Sequence, residues 1–564
     1  MNYLQKYKEW LDRLPAGDPL REELLAIAGD DSGIRERFER DIEFGTAGLR
    51  GICSAGTDRM NERTVGRATQ GIANYILKAG QEAASRGAVI AYDCRYHSKE
   101  FSELSARILA GNGIKSYLFP EMRPTPELSY AVRKLGAAAG INMTASHNPK
   151  EYNGYKVYWE DGAQIFGEVA DGIQAEIATL TFLDPFREMS LEEAGEKGLL
   201  TVLGEEMDRS YLDYVKSMRQ RPESELDRTV PVVYTPLHGA GSIPMRRLAA
   251  EEGYTGFHIV EAQQDPDPEF STVGYPNPED PKGFAMAEEL GKAVKAEVLI
   301  ATDPDSDRMA IEIPDGKGGY TPLNGNQTGA LLIAYMAQSM KEKGTLPEKA
   351  AMIKSIVTGN MGRAICEAYG IRVYETLTGF KNICGVIPKA EKEGYTYFFG
   401  YEESIGCAPG AQVRDKDGIC AGMLIMEMAA WLRKKGMTIG SYLESLYKRY
   451  GYYREYQKSF TLSGLDGMKK IGDTMRAFRA EKCMRFGDFE VERIIDYLHG
   501  YEDIPPSNVL SYRMTDGSWF AVRPSGTEPK IKFYFYTKSA VREEAERSLA
   551  ALRDAVLRRP GLLS

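Results

Sequence analysis

Long apolar runs, paired cysteines and histidines are what this 564-residue sequence has least of. No uninterrupted apolar stretch approaches the roughly 20 residues that span a bilayer, so no membrane partner is expected. The seven cysteines (Cys53, Cys94, Cys366, Cys384, Cys407, Cys420 and Cys483) form no C-x-x-C pair, and there are only five histidines. That scarcity argues against a zinc site and a disulfide framework, and it predicts a reducing, cytoplasmic setting. Residues 1–15, MNYLQKYKEWLDRLP, are charged and amphipathic and lack an apolar signal core. The formal charge of -10 disfavours nonspecific nucleic-acid binding, although a local basic cleft can still hold an anion.

What is present reads as an ordinary globular chain, 43% hydrophobic and 27% charged. Its length exceeds one hydrophobic core and predicts roughly three to five domains. Short apolar runs alternate with helical patterns, the signature of α/β units. AVIAYD (88–93), GAAAGINM (136–143), VPVVYTP (230–236), AEVLIATD (296–303) and YTYFFGY (395–401) read as buried strands. They run into polar loops (DCRYHS, TASHNP, LHGAG, DPDSDR and EES), and in open α/β sheets ligands gather beyond the carboxyl ends of strands. Breaks are expected around residues 204–228, in PDGKGGYTPLNGNQ (314–327) and near KRYGYYREYQKSF (448–460). The expected division is 1–208, 209–322, 323–452 and 453–564, three α/β domains and a C-terminal α+β domain.

DPDSDR sets Asp303, Asp305 and Asp307 at alternating positions after a strand. Such oxygen ligands suit a hard cation such as Mg²⁺, although an isolated loop of this kind is as often a solvated acidic turn. An EF-hand fails, because Arg308 stands at the sixth position and Pro314 at the twelfth, and strand-like sequence flanks the loop. TASHNP places Ser146 beside His147. Adjacent side chains seldom form a nucleophile–base pair, and no G-x-S-x-G elbow surrounds the serine. RPSGTEPK combines Arg523, Ser525, Gly526, Thr527 and Lys530 in one tight loop, which reads either as a phosphate cradle or as a hairpin turn. GYEES offers Glu402, Glu403 and Ser404 to sugar hydroxyls; alone it could equally be a helix cap and exposed turn. Arg50, Lys156 and Lys381 carry weak signals singly, and His238 reads as a structural loop histidine. A metal loop, a phosphate loop, a polyol loop and an exposed serine together point to a phosphosugar enzyme.

That set resembles the α-D-phosphohexomutase superfamily along nearly the whole chain, with four motifs in order. The run PEFSTVGYPNPED (268–280) and the form GYEES resemble the branch of bacterial phosphoglucomutases and phosphopentomutase-like enzymes. The resemblance implies four domains around a central active-site cleft, and a small phosphosugar substrate acted on by a monomer or homodimer. It implies that Ser146 carries a phosphoryl group and that Mg²⁺ is held by Asp303, Asp305, Asp307 and that group. Arg50, His147 and Arg308 would lie near the transferring phosphate. Lys156 and Lys381 would serve proton transfer or substrate binding. Glu402, Glu403 and Ser404 would meet the sugar, and Arg523, Ser525, Gly526, Thr527 and Lys530 the distal phosphate. The implied reaction interconverts glucose 1-phosphate and glucose 6-phosphate through glucose 1,6-bisphosphate. Pentose or mannose phosphate is the alternative substrate, and a metal-dependent sugar phosphatase or a silent scaffold the more remote reading. The familiar loop of the family is G-E-x-S, whereas here Tyr401 separates Gly400 from Glu402, which leaves the sugar open.

Overall fold

The computed structural model describes residues 1–45, 48–462, 465–481, 483–525 and 530–559, without the side chains of 465 and 466. The chain divides into two compact units, Met1–Asn324 with Phe398–Gly400 and Ile405–Gly436, and Gly325–Tyr397 with Tyr401–Ser404 and Met437–Ser564. Among the described residues no helix is long and apolar enough to cross a membrane.

The first unit opens with three helices, Tyr3–Arg13, Pro19–Ala26 and Asp31–Phe38, for which the sequence offers no motif. Asn2 starts the first with a reciprocal capping box to Gln5. Trp10, Leu24, Ile34 and Phe38 then close a small core with Ala55. A six-stranded sheet follows, ordered Gly48–Ile52, Tyr152–Trp159, Ala139–Met143, Ala88–Tyr92, Ser116–Leu118 and Leu200–Val202. Ala88–Tyr92 and Ala139–Met143 are buried along their whole length. Helices Ser98–Gly111 and Thr125–Leu135 pack on them, which is why they read as continuous apolar runs. GAAAGINM yields a strand only from Ala139, because Gly136 ends the preceding helix at φ 62°.

The second sheet is ordered Tyr320–Leu323, Met309–Pro314, Val298–Thr302, Val232–Thr235 and Phe257–Ile259. PDGKGGYTPLNGNQ, expected as a break, is mostly a hairpin: Pro314 pairs with Tyr320 and Ile311 with Leu323. Gly316 and Gly318, both at positive φ, let the chain turn back there, and the division into units falls after Asn324.

In the second unit, strands Ala350–Ser355 and Arg372–Thr376 pair in parallel. Gly451, at φ 106°, ends helix Ile439–Tyr450 and admits the strand Tyr452–Thr461. That strand opens a six-stranded sheet, continued by Lys530–Ser539, Trp519–Pro524, Leu510–Met514, Phe489–Asp496 and Arg485–Phe486, every neighbour antiparallel. Helix Arg542–Leu557 packs on it through Leu552 and Val556, giving the expected α+β end.

Candidate active site

The predicted residues fall into two groups, one in each unit. In the first, strand Ala139–Met143 runs directly into TASHNP, where Ser146 adopts φ 53°. A non-glycine residue held there costs on the order of 1–2 kcal/mol, so surrounding contacts must impose the shape. They do. The Ser146 N–H donates to Thr144 Oγ1 at 2.8 Å. Arg95 donates to the carbonyls of Ser146 at 2.7 Å, Pro149 at 2.8 Å and Tyr152 at 2.9 Å, and also to that of Asn148. The left-handed kink puts Ser146 Oγ 3.1 Å from His147 Nδ1, so these neighbours do meet, contrary to the expectation for adjacent side chains. Burial, then Arg308 and Arg50, push the imidazole well below its usual range and keep it neutral.

Ser146 Oγ also donates to Asp303 Oδ2 at 2.6 Å, across 157 residues of sequence. DPDSDR links two antiparallel strands, Val298–Thr302 and Met309–Pro314, as expected for a strand-end loop and not for helix–loop–helix. Ligand oxygens of Asp303, Asp305 and Asp307 lie within 4.8 Å of one another, the one such group of three among the described residues. All three side chains are buried. Asp303 Oδ1 accepts from the Arg308 N–H at 3.0 Å. Asp305 Oδ2 accepts from Thr125 Oγ1 at 2.7 Å and Lys156 Nζ at 2.6 Å. Asp307 Oδ2 takes Lys156 and Lys416, each at 3.0 Å.

The remaining oxygens decide whether a cation fits. Asp305 Oδ1 and Asp307 Oδ1 are buried with no hydrogen-bond partner. Such atoms in a dry site carry a full desolvation penalty unless something positive meets them. An all-oxygen donor set matches Mg²⁺. Burial beside Asp305 and Asp307 pushes the Asp303 carboxyl well above its ordinary range. Burial acts the same way on Asp307, but Lys156, Lys416 and Arg308 overcome it and hold that carboxylate low. Arg50, on strand Gly48–Ile52, donates to Asn148 Oδ1 at 3.3 Å on the serine loop. Arg308 Nε lies 3.9 Å from that Asp307 Oδ1, beyond hydrogen-bond reach.

Three residues that sequence reasoning passes over complete this group: Arg95, Thr125 and Lys416. Lys416 stands in RDKD (414–417), four consecutive charged residues that are all buried. Asp415 accepts there from Tyr158 Oη and Gln164 Nε2, both at 2.8 Å. A charged run between CAPGAQV and GICAGMLIMEMAA was the available signal, since four charges beside a helix buried from Gly418 to Leu432 need partners. Nothing in RPTPE distinguishes Thr125. His238 is bonded through both ring nitrogens, to Asp265 O at 2.9 Å and Thr272 Oγ1 at 2.7 Å, a structural role as expected.

The second group lies in the other unit. Glu402 Oε1 accepts from the Gly379 N–H. Glu403 Oε2 accepts from Thr358 Oγ1 at 3.0 Å and Ser355 Oγ at 3.2 Å, which anchors the loop. Ser404 occupies the turn that follows. Tyr401 is fully buried against Gly329 and Gly362, where any Cβ would collide with its ring or hydroxyl. The residue that departs from the familiar loop therefore belongs to the core. Lys381, half-buried in helix Phe380–Lys392, is pushed below its ordinary range by desolvation. Arg523 and Lys530 sit on paired antiparallel strands, and the Ser525 N–H donates to Lys530 O at 2.7 Å. Gly526 and Thr527 lie outside the described residues. Burial first, then Glu403, push the Tyr534 hydroxyl up, while its hydrogen bond to Arg523 opposes them. This unit thus gathers residues of GYEES and RPSGTEPK around one tyrosine.

Family models match along the chain: phosphoglucomutase/phosphomannomutase α/β/α domain I over 41–184, domain II over 209–316, domain III over 324–450 and the C-terminal domain over 476–553. A phosphoglucomutase of Staphylococcus aureus strain RF122 is 36% identical over 555 residues, covering 94% of this chain and 95% of that protein. That of strain MRSA252 is 36% identical over 528 residues, covering 89% and 91%. In fold, the chain is similar to the open form of pp63/parafusin (phosphoglucomutase) from Paramecium, at TM-score 0.70 and 18% identity, covering 92% and 95%. It is likewise similar to a phosphoglucomutase/phosphomannomutase family protein of Burkholderia thailandensis, at TM-score 0.66 and 19% identity, covering 91% and 96%.

Proposed function

Because this chain belongs to the phosphoglucomutase/phosphomannomutase family and is a phosphohexomutase, an isomerase, we propose that it interconverts α-D-glucose 1-phosphate and glucose 6-phosphate. The observation that carries the chemistry is Ser146 Oγ at 2.6 Å from Asp303, inside a buried three-carboxylate group. The glucose preference rests on the phosphoglucomutases that are 36% identical over most of the chain. The buried Tyr401 supports it further, because the altered loop form places no new side chain toward a substrate. The domain limits 1–208, 209–322, 323–452 and 453–564 belong to the same proposal.

In this reading Ser146 carries a phosphoryl group. Transfer breaks the bond from phosphorus to Ser146 Oγ and forms one to a sugar hydroxyl oxygen, whose proton passes to a base. The resulting glucose 1,6-bisphosphate reorients, and its other phosphoryl group returns to Ser146 Oγ. Asp303, Asp305, Asp307 and a phosphoryl oxygen on Ser146 would hold one Mg²⁺, which when bound supplies Lewis acidity and neutralises charge. Arg50, His147 and Arg308 orient the phosphoryl oxygens. Lys156 stays charged, because Asp305 and Asp307 outweigh its burial, and that suits a cationic holder. Lys381, lowered by desolvation, suits proton acceptance. Glu402 and Ser404 contact sugar hydroxyls with Glu403 bracing them, and Arg523, Ser525, Gly526, Thr527 and Lys530 hold the phosphate that is not transferred.

Two measurements test this. Intact-mass spectrometry of the active enzyme is expected to show a phosphate-sized increment that Ser146→Ala removes. Coupled assays on glucose, mannose, glucosamine and ribose 1-phosphates are expected to rank glucose first. Active enzyme that never carries the increment, even after incubation with hexose bisphosphate, defeats the serine mechanism. Ribose or mannose in first place defeats the glucose assignment, and free phosphate without isomer indicates a phosphatase.

A further inference from the structure

The second unit contains a cavity of about 680 Å³ that none of the motif residues line. Strand Arg372–Thr376 forms one wall, and strands Phe489–Asp496, Leu510–Met514 and Trp519–Pro524 supply the other. Its lining balances cations with carboxylates, but they are unevenly partnered: Lys389 pairs with Asp503 at 2.7 Å, Arg363 with Glu375 at 2.8 Å, and Glu393 accepts from Tyr374 Oη at 2.6 Å, while Glu492 and Glu502 also line the space. Three lining arginines, Arg372, Arg493 and Arg513, form no ion pair with a carboxylate among the described residues. Arg493 donates to a neutral partner, Tyr501 Oη, at 3.2 Å, and Arg513 lies 4.9 Å over the Trp519 ring. Arg493 and Arg513 are also register partners on adjacent antiparallel strands. Like charges directly opposite on a sheet destabilise it unless an anion sits with them.

The cavity wall is wired to the GYEES loop. Glu375 accepts from Lys354 Nζ at 2.9 Å, and buried Lys354 in turn donates to Thr358 O at 2.8 Å. The Thr358 and Ser355 hydroxyls donate to Glu403. An anion that draws Arg363 away from Glu375 would therefore load the same chain of contacts that fixes Glu403.

We propose that this cavity is a regulatory site for a small anion bearing a terminal phosphate group, and that its occupancy adjusts the loop at Glu402 and Glu403. The binding arm is independent of which sugar is turned over. The regulatory arm rests on the proposed sugar role of that loop, and is read on whichever sugar 1-phosphate the enzyme prefers.

The test titrates inorganic phosphate, pyrophosphate and ATP into the full-length enzyme, equilibrated with saturating sugar phosphates at fixed free Mg²⁺. One of these probes is expected to bind with the sugar site already occupied, and the tightest identifies the source of the phosphate group. Arg493→Gln with Arg513→Gln should weaken that binding at least tenfold, and Arg372→Gln, away from the paired strands, provides a second variant should the first misfold. The bound probe should shift KM for the sugar phosphate at least twofold in the wild type and not in the variants, whose turnover without probe stays within twofold. Binding wholly displaced by sugar phosphate, binding indifferent to these arginines, or binding that leaves KM unchanged would each overturn the proposal.

Discussion

The guanidinium of Arg95 lies 2.7 Å from the backbone carbonyl of Ser146 and holds three further carbonyls of the same segment. One planar cation thereby fixes a loop whose central residue sits at φ 53°. Behind it, Asp93 accepts from the Arg95 N–H at 2.9 Å, and the Phe270 ring lies 5.1 Å from its guanidinium. Lysine keeps the charge but cannot reach four acceptors from a fixed fork. Arg95→Lys is expected to lower kcat roughly ten- to hundredfold, the equivalent of about 1.5–3 kcal/mol of charged hydrogen bonding. Circular dichroism should be unchanged. Wild-type kcat in the folded variant would show that the loop keeps its shape without Arg95.

The acidic loop gives a sharper expectation. In the proposed mechanism Asp303→Ala would remove a Mg²⁺ ligand, and it deletes the acceptor for Ser146 Oγ, so turnover at ordinary Mg²⁺ concentration should vanish. EDTA should stop the wild type, and added Mg²⁺ should restore it. Full activity in thoroughly chelated enzyme would reduce DPDSDR to a structural turn.

The proposed reorientation of the sugar separates the expected phosphate holder from the expected sugar contacts. If Arg523 holds the distal phosphate as proposed, Arg523→Ala deletes a charge-assisted contact worth roughly 1.5–3 kcal/mol, a loss of about ten- to a few hundredfold in kcat/KM. It should affect both substrate isomers and leave phosphorylation at Ser146 intact. Glu402→Gln should change the ranking of glucose and ribose 1-phosphates instead. Equal depression of every sugar by Glu402→Gln would mean that GYEES does not choose the substrate, and an unaffected Arg523→Ala would leave RPSGTEPK an ordinary hairpin.

A pH effect arises away from this chemistry. Burial, then Glu288, raise the Glu312 carboxyl to about 7 in the folded chain, and its Oε2 has no partner. The native state therefore keeps a proton that the unfolded chain releases from about pH 4.5 upward. Stability from this group is complete at low pH, falls as pH rises through 4.5 to 7, and stays low above that. Glu312→Gln should raise the unfolding free energy at pH 8 by about 1–2 kcal/mol once solvent screening is allowed for, and barely change it at pH 4. An equal shift at both pH values would assign the effect to packing.

Much of this protein could be read along the chain. Apolar runs such as AVIAYD and AEVLIATD are strands because their residues are buried on both faces, and burial on that scale is written in composition. DPDSDR and TASHNP declared their chemistry because the oxygens and the hydroxyl are adjacent in sequence. What neutralises those oxygens was not legible. Lys416 and Thr125 reach Asp307 and Asp305 only because separate segments of the chain converge at the carboxyl ends of strands, and no local pattern records which distant cation closes a contact. The bond from Ser146 to Asp303 spans 157 residues for the same reason. Tyr401 shows the converse: the sequence marked it as a departure beside the sugar loop, and only packing against Gly329 and Gly362 decided that its ring belongs to the interior. Sequence fixes which chemical groups a loop can offer, whereas long-range packing decides which of them are desolvated, which are paired, and which are left with an empty lone pair to bind something else.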